Sequence, residues 1–244
     1  MYDDRREYYD FMVKNEHFFS TETLGATDPV DGVSLNLDQD WDQIYNEYVE
    51  NKIVVIDNFF NPDCAIRLRN FMLYFNNRQD IYDDYAAVNF SLKMDKRYIW
   101  FRLLTNIINE TKNNLKCLQD KNFERAWAFI YDNIANGVGV HADPAATNIN
   151  CWVTPEECLD LTTGNNGLDI WKIYPPTDWE HQDYNGNAVK SLKFIEENSA
   201  SRLSFEYRFN RAIMFDSKFF HKTQPVVAKP GYENRRINYT FLYT

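Results

Sequence analysis

The sequence predicts one mainly β domain, an antiparallel sandwich or jelly roll with N-terminal helices packed on one outer face. Three observations carry that expectation. After Arg125 the chain becomes a succession of short β-rich segments (127–131, 138–141, 148–153, 168–173, 203–209, 212–215 and 236–243) separated by Gly, Asn, Asp and Pro turns. Helical spacing, by contrast, dominates only the first half. Finally, 244 residues with 44% hydrophobic and 16% aromatic side chains supply the core of one large β domain.

Taken in order, residues 1–40 are polar, acidic and patchily aromatic, and Gly25, Pro29 and Gly32 interrupt any long period. A short helix near the start followed by a loop is expected there, and residues 1–50 together read as a helical and loop extension. Trp41, Ile44, Tyr45 and Tyr48 recur at helical spacing, which predicts a packing helix. Ile53-Val54-Val55-Ile56 is a short β-branched run of the kind a buried strand needs. Asn61-Pro62-Asp63 then opens a helix to about residue 74, with Pro62 at its first position and Ile66, Leu68, Phe71 and Met72 along it. A further helix, about 98–111, carries Leu103, Ile107 and Ile108. Within the β-rich half, the polar stretch 175–201 predicts one helix at 188–196, an insertion placed to cover a barrel mouth.

Composition narrows the classes of function. The net charge of −10 argues against a protein that grips a phosphate backbone, although one or two placed arginines can still hold a small anion. No apolar run approaches the roughly 20 residues that span a bilayer, and the first residues lack the apolar core of a signal peptide. A soluble, cytoplasmic protein is therefore expected. Cys64, Cys117, Cys151 and Cys158 show neither CxxC spacing nor a neighbouring histidine, so free thiols are expected.

The stretch with chemistry in it is Val140-His141-Ala142-Asp143-Pro144, read together with the distant His221. In extended backbone alternate side chains share a face, so His141 and Asp143 project together. If a later strand brings His221 alongside, two imidazoles and one carboxylate form a facial set that leaves half an octahedron open. His17 and His181 have no partner pattern and read as surface residues.

Those residues resemble the Fe(II)- and 2-oxoglutarate-dependent dioxygenases. The order His141-x-Asp143, Asn166-Gly167-Leu168, His221 and an Arg-bearing final segment (Arg235-Arg236-Ile237-Asn238) is most similar to the prolyl-hydroxylase and phytanoyl-hydroxylase branches. The resemblance covers roughly residues 52–243. It implies a double-stranded β-helix, cupin-like, over 51–244 with N-terminal helices on the major sheet, and Fe(II), 2-oxoglutarate and O2 as cofactor and co-substrates. It further implies His141, Asp143 and His221 as metal ligands, Arg236 as the clamp for the far carboxylate of 2-oxoglutarate, Asn238 beside it, and Tyr131 as a donor to the co-substrate. Arg235 is the alternative clamp. Because Asp143 is present, hydroxylation of a peptide side chain or small molecule is the implied reaction, with release of succinate and CO2. Two alternatives stay open: a cupin-like isomerase or hydrolase without 2-oxoglutarate, and a non-catalytic jelly-roll binding protein.

Overall fold

A computed structural model describes residues 33–74, 80–90 and 99–244. The short helix expected near the start and His17 lie outside them. Helix α1 (Trp41–Asn51) begins where the Asp40 side chain accepts from the Gln43 N–H at 2.9 Å, and it ends where Lys52 turns into the left-handed region at φ 59. Ile44 and Tyr48 are its buried face. Strand β1 (Ile53–Ile56) follows and buries all but Val55, because it forms one edge of the large sheet. Helix α2 (Pro62–Tyr74) starts at Pro62 as the sequence predicts and buries Leu68, Phe71 and Met72. Ile66 departs from the expected face and is 46% exposed. Helix α3 (Ile99–Asn114) buries Leu103, Ile107 and Ile108.

Between α2 and α3 lies a pair that periodicity does not announce, β2 (Asp80–Ile81) and β3 (Tyr85–Phe90). The strands after them are β4 (Phe123–Tyr131), β5 (Ile134–Ala135), β6 (Thr147–Trp152) and β7 (Leu168–Trp171). The polar insertion then supplies helices α4 (His181–Asn185) and α5 (Ala188–Glu197). The chain closes with β8 (Arg202–Phe205), β9 (Ala212–Asp216), β10 (Phe220–Thr223), β11 (Val226–Val227) and β12 (Ile237–Tyr243). Expected strands thus appear near their places with one exception. Residues 138–141 form no strand: Gly137 turns the chain at φ 75, and only His141 makes a bridge, to His221.

Seven strands pair in the order β1-β9-β6-β12-β4-β3-β2, with every pairing between neighbours antiparallel. A smaller sheet, β10-β7-β8, and the pair β11-β5 face them, joined to the His141 segment by its bridge. This is the double-stranded β-helix with helices on the major sheet. Gly167 is required at the start of β7, since a Cβ there would collide with the Phe205 carbonyl oxygen.

Two cores flank the major sheet. On the helix side Leu68, Met72, Leu103 and Ile107 pack against Ile237, Tyr239, Phe241 and Tyr243 of β12. Leu35, Ile44 and Tyr48, from the stretch read as an extension, belong to that same core. Between the sheets Trp152, Leu168, Ile170, Phe215 and Phe219 form the second. The period of two along β12 therefore sends its apolar face to the helices and frees the other face, Asn238 and Thr240, for the interior. Truncating Phe241, which is 1% exposed, to Ala is expected to cost about 3–5 kcal/mol in urea unfolding. No helix among the described residues is long and apolar enough to cross a membrane. Among the described residues all four cysteines are free thiols.

Candidate metal centre and anion pocket

His141 and His221 face each other across their bridge, exchanging backbone hydrogen bonds of 3.0 and 2.8 Å. Two residues on, the Asp143 N–H donates to the Ser217 carbonyl at 3.0 Å, which seats the carboxylate beside both rings. Asp143 Oδ1 lies 3.8 Å from His141 Nε2, and Oδ2 lies 3.6 Å from His221 Nε2. One ligand atom from each of the three falls within 4.8 Å of the others, a spacing that a single ion can bridge.

The proton on each ring is fixed by its neighbour. His141 Nδ1 is 2.8 Å from the Gly139 carbonyl and His221 Nδ1 is 2.9 Å from the Phe219 carbonyl. A carbonyl oxygen only accepts, so both rings carry hydrogen on Nδ1 and turn the Nε2 lone pair toward Asp143. Burial pushes the His221 pKa down to about 4, so this ring is neutral near pH 7 and ready to ligate.

That depression has a consequence for stability. The unfolded ring takes a proton near 6.5 while the folded ring resists it to about 4, so the metal-free protein loses stability as pH falls through this window. The full loss is roughly 3 kcal/mol. Thermal unfolding of metal-free protein should show it, and His221→Gln should remove it; Asp57, whose carboxyl Arg211 holds below its usual range, acts only at lower pH.

The carboxylate is held from two sides. Asn148 Nδ2 donates to Asp143 Oδ2 and Asn185 Nδ2 donates to Oδ1, each at 3.2 Å. Asn185 also donates to the Ala142 carbonyl at 2.8 Å, and the Ala142 N–H donates to the Tyr184 carbonyl at 2.9 Å. The end of α4 is thereby pinned across the His-x-Asp segment. Asn185→Ala is expected to weaken Mn(II) binding by about tenfold to a hundredfold, as loss of a group that orients a ligand does, read by electron paramagnetic resonance titration.

The triad opens on a cavity of about 360 Å³ whose wall includes Tyr131, Asn148, Asn150, Thr223, Asn238 and Thr240. Tyr131 is fully buried, and its hydroxyl lies 3.3 Å from Thr223 Oγ1. Next to that wall sits Arg236, 1% exposed, donating from Nε to the Asn166 carbonyl at 2.7 Å and from Nη1 to Asn238 Oδ1 at 2.8 Å. Its guanidinium lies 5.0 Å from the Tyr131 ring centroid, 5.8 Å from Trp152 and 5.6 Å from Tyr207. Among the described residues no carboxylate pairs with it. Burial pulls its pKa down, opposed by Tyr131 and Tyr207, yet arginine stays protonated, so the fold buries a cation that has neither aspartate nor glutamate as a partner among the described residues.

His141, Asp143 and His221 thus converge, and Tyr131, Asn238 and Arg236 converge beside them. Arg235 goes the other way, its Nη2 3.2 Å from Asp132 Oδ1. His181 is exposed. Two parts of the site escaped the sequence. Asn185 carries no local signal, because only the folding of the insertion brings it to Asp143. The inner face of β4, Trp127, Phe129 and Tyr131, was legible as a period of two aromatics, but of the three only Tyr131 was given a role and Trp127 and Phe129 were read as strand alone.

No protein-family model matches the chain, and a search of curated proteins finds no relative. Solved structures do match in three dimensions. An oxidoreductase of the 2OG-Fe(II) oxygenase family from Burkholderia pseudomallei is 9% identical with a TM-score of 0.57 over 86% of this chain and 92% of its own. A prolyl hydroxylase from Trichoplax adhaerens, solved with a peptide fragment of hypoxia inducible factor, is 13% identical with a TM-score of 0.52 over 83% and 88%. The non-heme alpha ketoglutarate dependent epimerase SnoN from nogalamycin biosynthesis is 10% identical with a TM-score of 0.55 over 84% and 82%. At these identities the likeness is one of architecture, and the chain has the fold of the 2-oxoglutarate/Fe(II) oxygenases.

Proposed function

We propose that this protein is an Fe(II)- and 2-oxoglutarate-dependent oxygenase, with His141, Asp143 and His221 holding the metal and Arg236 holding the far carboxylate of the co-substrate. The observation that carries this reading is the buried Arg236, without a carboxylate partner among the described residues, beside a two-imidazole, one-carboxylate set. A metal site alone would suit any cupin-like enzyme. A metal site next to a fixed cation that lacks an acidic partner suits a dicarboxylate that touches both.

Each group present has a defined task. The guanidinium offers a planar fork matched to a carboxylate, and Asn238 Oδ1 holds one arm of it in place. The Tyr131 hydroxyl is a neutral donor, because burial holds its pKa above the ordinary tyrosine value, so it can hydrogen-bond an anion without repelling it. Asn148 and Asn185 keep both Asp143 oxygens oriented. When bound, iron and 2-oxoglutarate supply O2 activation coupled to decarboxylation, yielding succinate and CO2. Hydroxylation of a small molecule or peptide side chain is the finer reading. It is supported by the retained carboxylate Asp143 and by the peptide-bound prolyl hydroxylase among the structures of the same fold.

Succinate formation from 2-oxoglutarate with added Fe(II) in air tests the proposal. The wild-type protein should produce it and His141→Ala should not; undiminished turnover in His141→Ala would show that the metal is held elsewhere.

A further inference from the structure

The cavity wall beyond the metal and Arg236 is an aromatic shelf. Trp127, Phe129 and Tyr131 stand on one face of β4, their ring centroids 6.1 and 6.3 Å apart with interplanar angles of 30° and 23°. Tyr85 of β3 leans on the same row, 6.1 Å from Phe129 and 5.5 Å from Tyr131, and Tyr82 stacks on Tyr85 at 4.3 Å and 18°. The rings stand roughly parallel, each stacked on the next along the row, rather than around a hole. A row of this kind accepts a further flat ring stacked in the same direction, whereas a cage would be needed to surround an ammonium head. Burial falls from Tyr131, fully enclosed, through half-buried Phe129, Trp127 and Tyr85 to Tyr82, which is 50% exposed. The shelf therefore runs from the base of the pocket out to its mouth.

The charges around the shelf are one-sided. Among the described residues Asp143 is the sole acidic side chain lining the cavity, and no lysine or arginine lines it. The nearest buried cation, Arg236, is committed to the co-substrate in the reading above. Asp80 and Asp84 stand near Tyr85 and add negative charge at the hairpin between β2 and β3. A carboxylate or phosphate on the primary substrate would meet no counter-charge among the described residues, which is costly where it is buried. Asn150, 8% exposed in the same wall, donates from Nδ2 to Thr240 Oγ1 at 3.0 Å while its Oδ1 has no partner. A buried acceptor left open asks for an N–H or O–H donor.

Resting on the proposed oxygenase activity, we infer that the primary substrate is a non-anionic molecule with a flat ring and an N–H or O–H donor, laid on the shelf of Trp127 and Phe129. Among the described residues the same wall offers a free acid or phosphate ester no cation.

The test uses the protein loaded with Mn(II) and saturating 2-oxoglutarate, so that Arg236 is already taken. Paramagnetic broadening of ligand proton signals then reports binding close to the metal. Three probes suffice: indole-3-carboxamide, its matched anion indole-3-carboxylate, and the saturated cyclohexanecarboxamide. The neutral indole is expected to bind at least about tenfold more tightly than either of the others, Trp127→Ala to lose about that factor, and Trp127→Phe to recover most of it. Equal or tighter binding of the carboxylate, equal binding of the saturated ring, or undiminished binding in a folded Trp127→Ala would overturn the inference. The probe ranking in the wild-type protein decides even if Trp127→Ala does not fold. Should 2-oxoglutarate itself fail to bind the Mn(II) protein, the oxygenase reading falls and this inference with it; if 2-oxoglutarate binds and the ranking is reversed, only the substrate class is wrong.

Discussion

Replacing Arg236 with methionine is expected to weaken 2-oxoglutarate binding at least about a hundredfold, roughly 2.7 kcal/mol. Three features set that size. The guanidinium is 1% exposed, so its bond to an anion is made in a poorly screened interior. Asn238 Oδ1 and the Asn166 carbonyl already orient it, so little freedom remains to be lost on binding. It has no acidic partner among the described residues, so the ligand's carboxylate removes an uncompensated buried charge rather than displacing a native ion pair. Arg236→Lys should lose about tenfold, since an ammonium keeps the charge but not the planar fork. Arg235→Met should change little, because that side chain pairs with Asp132 instead. Calorimetric titration of the Mn(II) protein with 2-oxoglutarate gives all three numbers, and unchanged affinity in Arg236→Met would remove the anion pocket from the account.

The second large effect is expected at the metal. His221→Ala should lower Mn(II) or Fe(II) affinity by about a thousandfold or more, because one of only three protein ligands is lost and the remaining pair cannot close a facial set. His221 is also the most enclosed of the three, at 4% exposure, so water replaces the missing nitrogen only by entering a buried space. Asp143→Ala should act similarly while leaving both imidazoles on their carbonyl hydrogen bonds. Metal affinity in His221→Ala within a factor of a few of wild type would place the ion elsewhere.

Much of the site was legible before the fold was known. The alternation on β12 is a period-of-two statement, and it survives folding because a strand has only two faces; His141 and Asp143 come together outside any strand, through their backbone bonds to His221 and Ser217. The inward turn of Arg236 followed from the same rule once Ile237, Tyr239 and Phe241 were assigned to the helix side. Less legible was everything that depends on long-range closure. Residues 138–141 looked like a strand by composition, yet Gly137 at positive φ leaves only the His141 bridge. Strand β3 was hidden because Ala86, Ala87 and Val88 are all buried, which erases the alternation that marks a half-exposed strand, and its partner β2 is only two residues long. Asn185 could not be found at all, since its pairing with Asp143 spans 42 positions and belongs to an insertion with no ligand-binding signature. Ile66 shows the opposite error, an apolar residue assigned to a core face that the helix turns to solvent.

One titration reaches the centre of this account most directly. Under argon, Fe(II) and then 2-oxoglutarate are added to the metal-free protein while the visible spectrum is followed. A charge-transfer band that saturates at one Fe(II) and one 2-oxoglutarate per chain, and that is absent from His141→Ala and right-shifted to far higher 2-oxoglutarate in Arg236→Met, is the predicted result. A wild-type protein that binds iron but develops no band with 2-oxoglutarate would contradict it.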